Sequence, residues 1–165
     1  MAAKTNAARI LDNLHIHYEL HSYEVGEDHQ GAEHTARKLG IPPEQLFKTI
    51  VARGDRSGVL IACVPSTCEM QLKALAALSG NKRVALAPLQ EVQPLTGYVR
   101  GGVSPVGCKT AFPVYLDESA LRFPWISVSA GARGLQMFLD PRELCRAVNA
   151  TTGSIAAQRA DEPAQ

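Results

Sequence analysis

Aromatic residues make up only 5% of the chain, and neither sign of charge is in excess: 17 Lys and Arg stand against 16 Asp and Glu, a net charge of +1. That balance excludes a protein that coats DNA through bulk charge, although it leaves room for a local basic rim. Long apolar runs are also missing. The longest, Val59–Val64, is far short of the roughly 20 residues that a membrane-spanning helix needs. The opening MAAKTNAARILDNL lacks the apolar stretch and cleavage site of a secretory signal. The four cysteines, Cys63, Cys68, Cys108 and Cys145, match no zinc spacing, and two lie in apolar segments as small buried hydrophobes. A soluble cytoplasmic protein without membrane or DNA partners is expected.

With 165 residues, 45% of them hydrophobic and 20% charged, the chain can build one core without staples. Residues 5–14 have helical apolar spacing at Ala7, Ile10, Leu11 and Leu14. Residues 16–23 alternate, with Ile16, Tyr18 and Leu20 facing inward and His15, His17, Glu19 and His21 outward. A helix over 32–39 closes at Gly40, and Pro42-Pro43 opens a further helical turn. FKTIVAR and VLIACVP, joined by GDRSG, predict a hairpin that is apolar on both faces and therefore central. Helices follow at QLKALAALSG and after Pro88, strands at RVALA, 113–116, WISVSA and LQMFL, and a last helix is capped by Asp140-Pro141 with Glu143 at capping-box spacing. At least six strands and several helices, in no regular βαβ order, predict an α+β fold. Residues 1–153 form the expected single domain, and 154–165 a tail that frays.

Lys48 stands out because alternation puts it on one strand face with Ile50 and Ala52, and a buried ammonium must find a partner or change its pKa. On pattern alone, snorkelling from the strand entrance into water is the preferred reading. Residues Gly101-Gly102-Val103-Ser104-Pro105-Val106-Gly107 form a turn that can expose backbone N–H groups to a phosphate or carbonyl. It is not a P-loop, because Cys108 displaces Lys109 and Thr110 by one residue. Ser129-Ala130-Gly131-Ala132-Arg133-Gly134 joins two strands and offers a hydroxyl, backbone N–H groups and a guanidinium to an RNA 3′ end, though on pattern alone a simple hairpin loop is the preferred reading. His15, His17 and His21 share a face without carboxylate or thiol neighbours at ligand spacing, so no metal is expected. No G-x-S-x-G elbow supports a serine hydrolase.

Taken in order, Tyr23, Phe47-Lys48-Thr49, Gly97-Tyr98 with the 101–107 turn, and Ser129-x-Gly131-x-Arg133-Gly134-Leu135 resemble the YbaK/EbsC family over about residues 5–150. These are aminoacyl-tRNA deacylases related to the editing domain of bacterial prolyl-tRNA synthetases. The nearest branch is the free-standing deacylases of Cys-tRNA(Pro) and Cys-tRNA(Cys). The resemblance implies a barrel-like mixed sheet wrapped by helices, hydrolysis of a mischarged aminoacyl ester, and no cofactor. It makes Lys48 the essential residue, which reverses the reading from pattern alone. It places Tyr23, Thr49, Gly101, Gly102, Ser104, Pro105, Ser129, Gly131 and Gln136 around the substrate. Backbone N–H groups near Gly101 and Gly102 are candidates for holding a developing oxyanion. The aminoacyl-tRNA 3′ end is the expected partner, with a prolyl- or cysteinyl-tRNA synthetase as a possible recruiter. Two positions depart from the family pattern: Gln30 replaces an aromatic residue, and Gln136 an acidic one that would pair with the substrate ammonium. The alternatives are a non-catalytic tRNA- or synthetase-binding member, and a deacylase for another small aminoacyl group such as alanine.

Overall fold

A computed structural model describes residues 4–26 and 31–159. The hairpin of β2 (Phe47–Gly54) and β3 (Gly58–Pro65) is central, as its two-sided apolar pattern requires. It sits inside a five-stranded sheet ordered β5-β2-β3-β6-β9, with β5 at Val84–Leu86, β6 at Val114–Asp117 and β9 at Thr151–Gly153. The β3–β6 and β6–β9 pairs are parallel. A second sheet, β1-β8-β7, joins Glu19–Ser22, Leu135–Leu139 and Ile126–Ala132. A parallel bridge from Leu46 to Ser127 ties this sheet to the start of β2. The fold is α+β as expected, but the strands form separate sheets, with no closed barrel among the described residues.

Local signals set the helix ends. Thr5 caps α1 (Asn6–Asn13) by accepting from the Ala8 N–H, and Gly80 ends α3 (Leu72–Ser79) at φ 75°. The second helix, α2, spans Gly31–Leu39, and α4 runs from Leu89 to Thr96. Asp140 caps α5 (Pro141–Val148) through the Arg142 N–H, while Glu143 pairs with Arg146 instead of completing a capping box. The main core packs Leu11 and Ile16 against Val128, Met137 and Leu144. The first strand is shorter than expected. Ile16 is buried, but Leu20 is 40% exposed because it reaches the open side of an edge strand.

Residues 154–159 correct the expectation of a tail that frays from 154 onward. Ile155 is fully buried, and β10 (Ala156–Gln158) pairs antiparallel with β4 (Cys68–Met70). Asp117, itself buried, fixes this return. Its Oδ1 accepts from the Ile155 and Ala156 N–H groups at 3.0 Å each, and its Oδ2 accepts from Ser119. Asp117→Asn leaves an NH2 group where the Ser119 donors point, so a stability loss of about 1–3 kcal/mol is expected in urea unfolding.

Candidate active site

A cavity of about 320 Å³ opens where the segment 23–26 after β1, α2, the start of β2, the 98–107 loop and the β7–β8 hairpin converge. It gathers Tyr23, Lys48, Thr49, Gly101, Ser129 and Gln136, residues more than 100 positions apart in the chain. Gly102, Ser104, Pro105 and Gly131 are not among its lining residues. Gly102 and Gly131 instead pack at the junction of the two glycine loops beside it.

Lys48 lies at the second position of β2, half-buried, and pairs with Val64. Burial pushes its ammonium below the usual lysine pKa, partly offset by Cys68 and Glu69 nearby. No ion pair involves Lys48 among the described residues. Thr49 turns to the opposite strand face, with Oγ1 3.8 Å from the Cys63 sulfur. Half-buried at the strand entrance, Lys48 lines the cavity beside Thr49.

The two glycine loops are locked together by Tyr98. Its hydroxyl donates to the Val106 carbonyl at 2.6 Å and lies against Gly107, while its ring lies against Gly131. A Cβ at Gly131 would stand 2.8 Å from Tyr98 Cε1. At Gly102 a Cβ would meet the Ala132 and Arg133 backbone at 3.0 Å, so the loops touch main chain to main chain. Ser104 is fully buried, and its Oγ accepts from the Val106 N–H at 3.2 Å. Pro105 lines a different cavity, of about 350 Å³, with Val106, Cys108 and Phe112.

These contacts change the expected oxyanion site. The Gly102 N–H donates to the Val99 carbonyl at 2.9 Å, and the Gly131 N–H to Ser129 Oγ at 3.1 Å. The Gly102 amide is therefore engaged within its own turn. Gln136 is buried at the cavity, where its Oε1 accepts from Ser127 Oγ at 2.8 Å. With the amide oxygen held there, its nitrogen remains as the donor toward ligand. Gln30, the other departure, lies outside the described residues.

Lys38 and Arg100, both of which line the cavity, have no signal in the sequence, whereas Arg133 stands out as a guanidinium that the 129–134 loop can offer to an RNA 3′ end. An arginine beside a glycine turn carries no periodic signal. Tyr98 was visible only as a motif neighbour, since nothing in the sequence links it to Gly131.

A half-buried cation, a buried amide and a hydroxyl around a cavity of this size suit a small carbonyl compound attached to an anionic carrier. The chain belongs to the aminoacyl-tRNA editing domain family, which it matches over residues 27–147. It is 42% identical over 146 residues to an Enterococcus faecalis (strain ATCC 700802 / V583) protein named as a candidate Cys-tRNA(Pro)/Cys-tRNA(Cys) deacylase, EbsC, covering 88% of this chain and 89% of that one. A crystal structure described as a candidate trans-editing enzyme for prolyl tRNA synthetase superposes with a TM-score of 0.77 at 26% identity, over 94% of this chain and 99% of that one. Another, described as a hypothetical protein, shares the fold with a TM-score of 0.84 at 22% identity, over 93% of this chain and 100% of that one.

Proposed function

We propose that this protein is a trans-editing hydrolase that cleaves the ester between a mischarged amino acid and the terminal ribose of tRNA, with Cys-tRNA(Pro) or Cys-tRNA(Cys) as substrate. The observation that carries this reading is the half-buried Lys48 ammonium at a cavity walled by two interlocked glycine loops. The 42% identity to the candidate deacylase supports the same substrate class.

An aminoacyl ester is already activated, so the site has mainly to orient it and stabilise charge on the carbonyl oxygen. Lys48 supplies the positive charge for that oxygen. Ser129 and Gln136 orient the aminoacyl group, and Tyr23, Thr49 and Gly101 shape the cavity around it. Gly102, Ser104, Pro105 and Gly131 hold the wall in shape. A water oxygen adds to the carbonyl carbon, the bond to the ribose oxygen breaks, and that oxygen takes the proton as the amino acid leaves. The protein's own buried thiols are poor nucleophiles here. Burial pushes Cys63 up to about 12 and Cys108 up to about 11, leaving almost no thiolate near neutral pH.

A separate editing step has a physical reason. A pocket made for one amino acid discriminates against one lacking a methylene by only about 1–3 kcal/mol. Gln136 favours a second reading, removal of another small aminoacyl group such as alanine, because a neutral amide does not hold an ammonium as a carboxylate does. Recruitment by a prolyl- or cysteinyl-tRNA synthetase fits the net charge of +1, which gives little diffuse attraction to RNA. No helix among the described residues is long and apolar enough to cross a membrane, which fits work on charged tRNA in the cytoplasm.

The test is a deacylation panel with Cys-, Ala- and Pro-charged tRNA(Pro). Fastest loss of the cysteinyl ester is expected. Fastest loss of the alanyl ester selects the second reading, and loss of none above background leaves a binding protein.

A further inference from the structure

The cavity rim gathers like charges. Lys38, Lys48, Arg100 and Arg133 line it, with His34, against the single described carboxylate of Glu24. Lys38 donates to the Glu24 carbonyl oxygen at 2.6 Å. Arg100 and Arg133 have no ion-pair partner among the described residues.

The arginines are also brought together. Arg133 lies across Gly101, the residue after Arg100: a Cβ at Gly101 would meet Arg133 Cγ, Nε and Cδ at 3.4, 3.5 and 3.6 Å. The backbone contact at Gly102 holds Arg133 to that turn. Arg133, in the β7–β8 hairpin, thus lies against the turn that carries Arg100, and like charges lining one cavity repel each other until an anion sits between them. Guanidinium forks fit phosphate oxygens in paired hydrogen bonds, which a lone ammonium does not match. On a chain with net charge +1, such a grip is local.

We propose that Arg100 and Arg133 form a clamp for the phosphodiester immediately 5′ of the aminoacylated terminal nucleoside. This rests on the deacylase reading and adds where the carrier is held. Lys48 serves the ester and the two arginines serve the phosphate, so the protein recognises the last nucleotide without needing the body of the tRNA.

Two measurements test the clamp. The first is hydrolysis of cysteinyl esters of adenosine and of adenosine 5′-phosphate. The protein is expected to favour the phosphorylated ester by about tenfold in kcat/KM, and Arg100→Ala/Arg133→Ala to lose that preference, with Lys at both positions restoring part of it. The second is fluorescence anisotropy of a labelled RNA trinucleotide ending CCA over increasing salt. Removing both arginines, which share one phosphate, should lower the steepness of log affinity against log salt by about 0.7. Equal use of the two esters by the unaltered protein, or an unchanged salt slope in the double variant, overturns the clamp. Hydrolysis of neither ester, with the arginine-dependent slope intact, overturns the deacylase reading and leaves the phosphate site standing.

Discussion

Lys48→Ala is expected to lower the single-turnover rate of Cys-tRNA deacylation by about 10²–10³-fold, the usual loss when a preorganised charge-stabilising donor is removed. The fold should survive. Lys48 sits at a strand entrance, makes no ion pair among the described residues, and is held below its ordinary pKa by desolvation. A folded-state pKa below the unfolded one means that the unfolded chain binds the proton more tightly. The burial cost is therefore fully present while both states are charged, and it is relieved as pH rises through the folded and then the unfolded pKa. Removing the side chain at neutral pH takes away a cost, so the melting temperature should stay level or rise slightly. Activity has the opposite dependence. It requires the ammonium, so it should fall on the alkaline side at a lower pH than a solvent-exposed lysine would set. A Lys48→Ala variant that deacylates at the full rate would remove the central assignment.

Gly131→Ala should be the most damaging single methyl in the site. The residue has φ 101°, a region that costs an L side chain about 1–2 kcal/mol, and the new Cβ would lie 2.8 Å from the Tyr98 ring. Overpacking adds roughly 1–3 kcal/mol. Near 2–4 °C per kcal/mol for a chain of this length, the expected fall in melting temperature is about 4–20 °C. Deacylation should drop as well, because Tyr98 also carries the 101–107 loop through its bond to Val106. Pairing Gly131→Ala with Tyr98→Leu should cost less than the sum of the two, since the smaller side chain relieves the clash. Strict additivity would show that the ring does not couple the loops.

What could be read from sequence was what is decided within a few residues. Gly80 and the Asp140-Pro141 start mark helix ends by local geometry, and the two-sided apolar pattern of β2 and β3 announces a central hairpin. The parallel β3–β6 and β6–β9 pairs were not legible, because a strand's pattern does not name its neighbour. The return of Ile155 to the core was missed for a similar reason: its donors are met by Asp117, 38 residues earlier. The site divided along the same line. Lys48 stands out as a charge on an apolar strand face, but that pattern alone favours snorkelling, and only the family resemblance gives it a role. Ser104 and Gly102 look like ligand-facing turn residues, yet they turn inward to bond the loop itself. Their roles depend on Tyr98 and Ala132, which only the folded chain brings near.

The pairing of β10 with β4 reaches beyond the sheet it closes. Arg159, just after that strand, bonds both the Ser66 carbonyl and Glu33 of α2, the helix that supplies one side of the cavity. The match to the family model spans residues 27–147, whereas the interactions of α2 continue to 159. The transplantable unit is thus longer than that matched span. A graft of this module into a synthetase that stopped at the family boundary would carry Lys48 and the glycine turns, but not the strut that keeps their opposite wall upright.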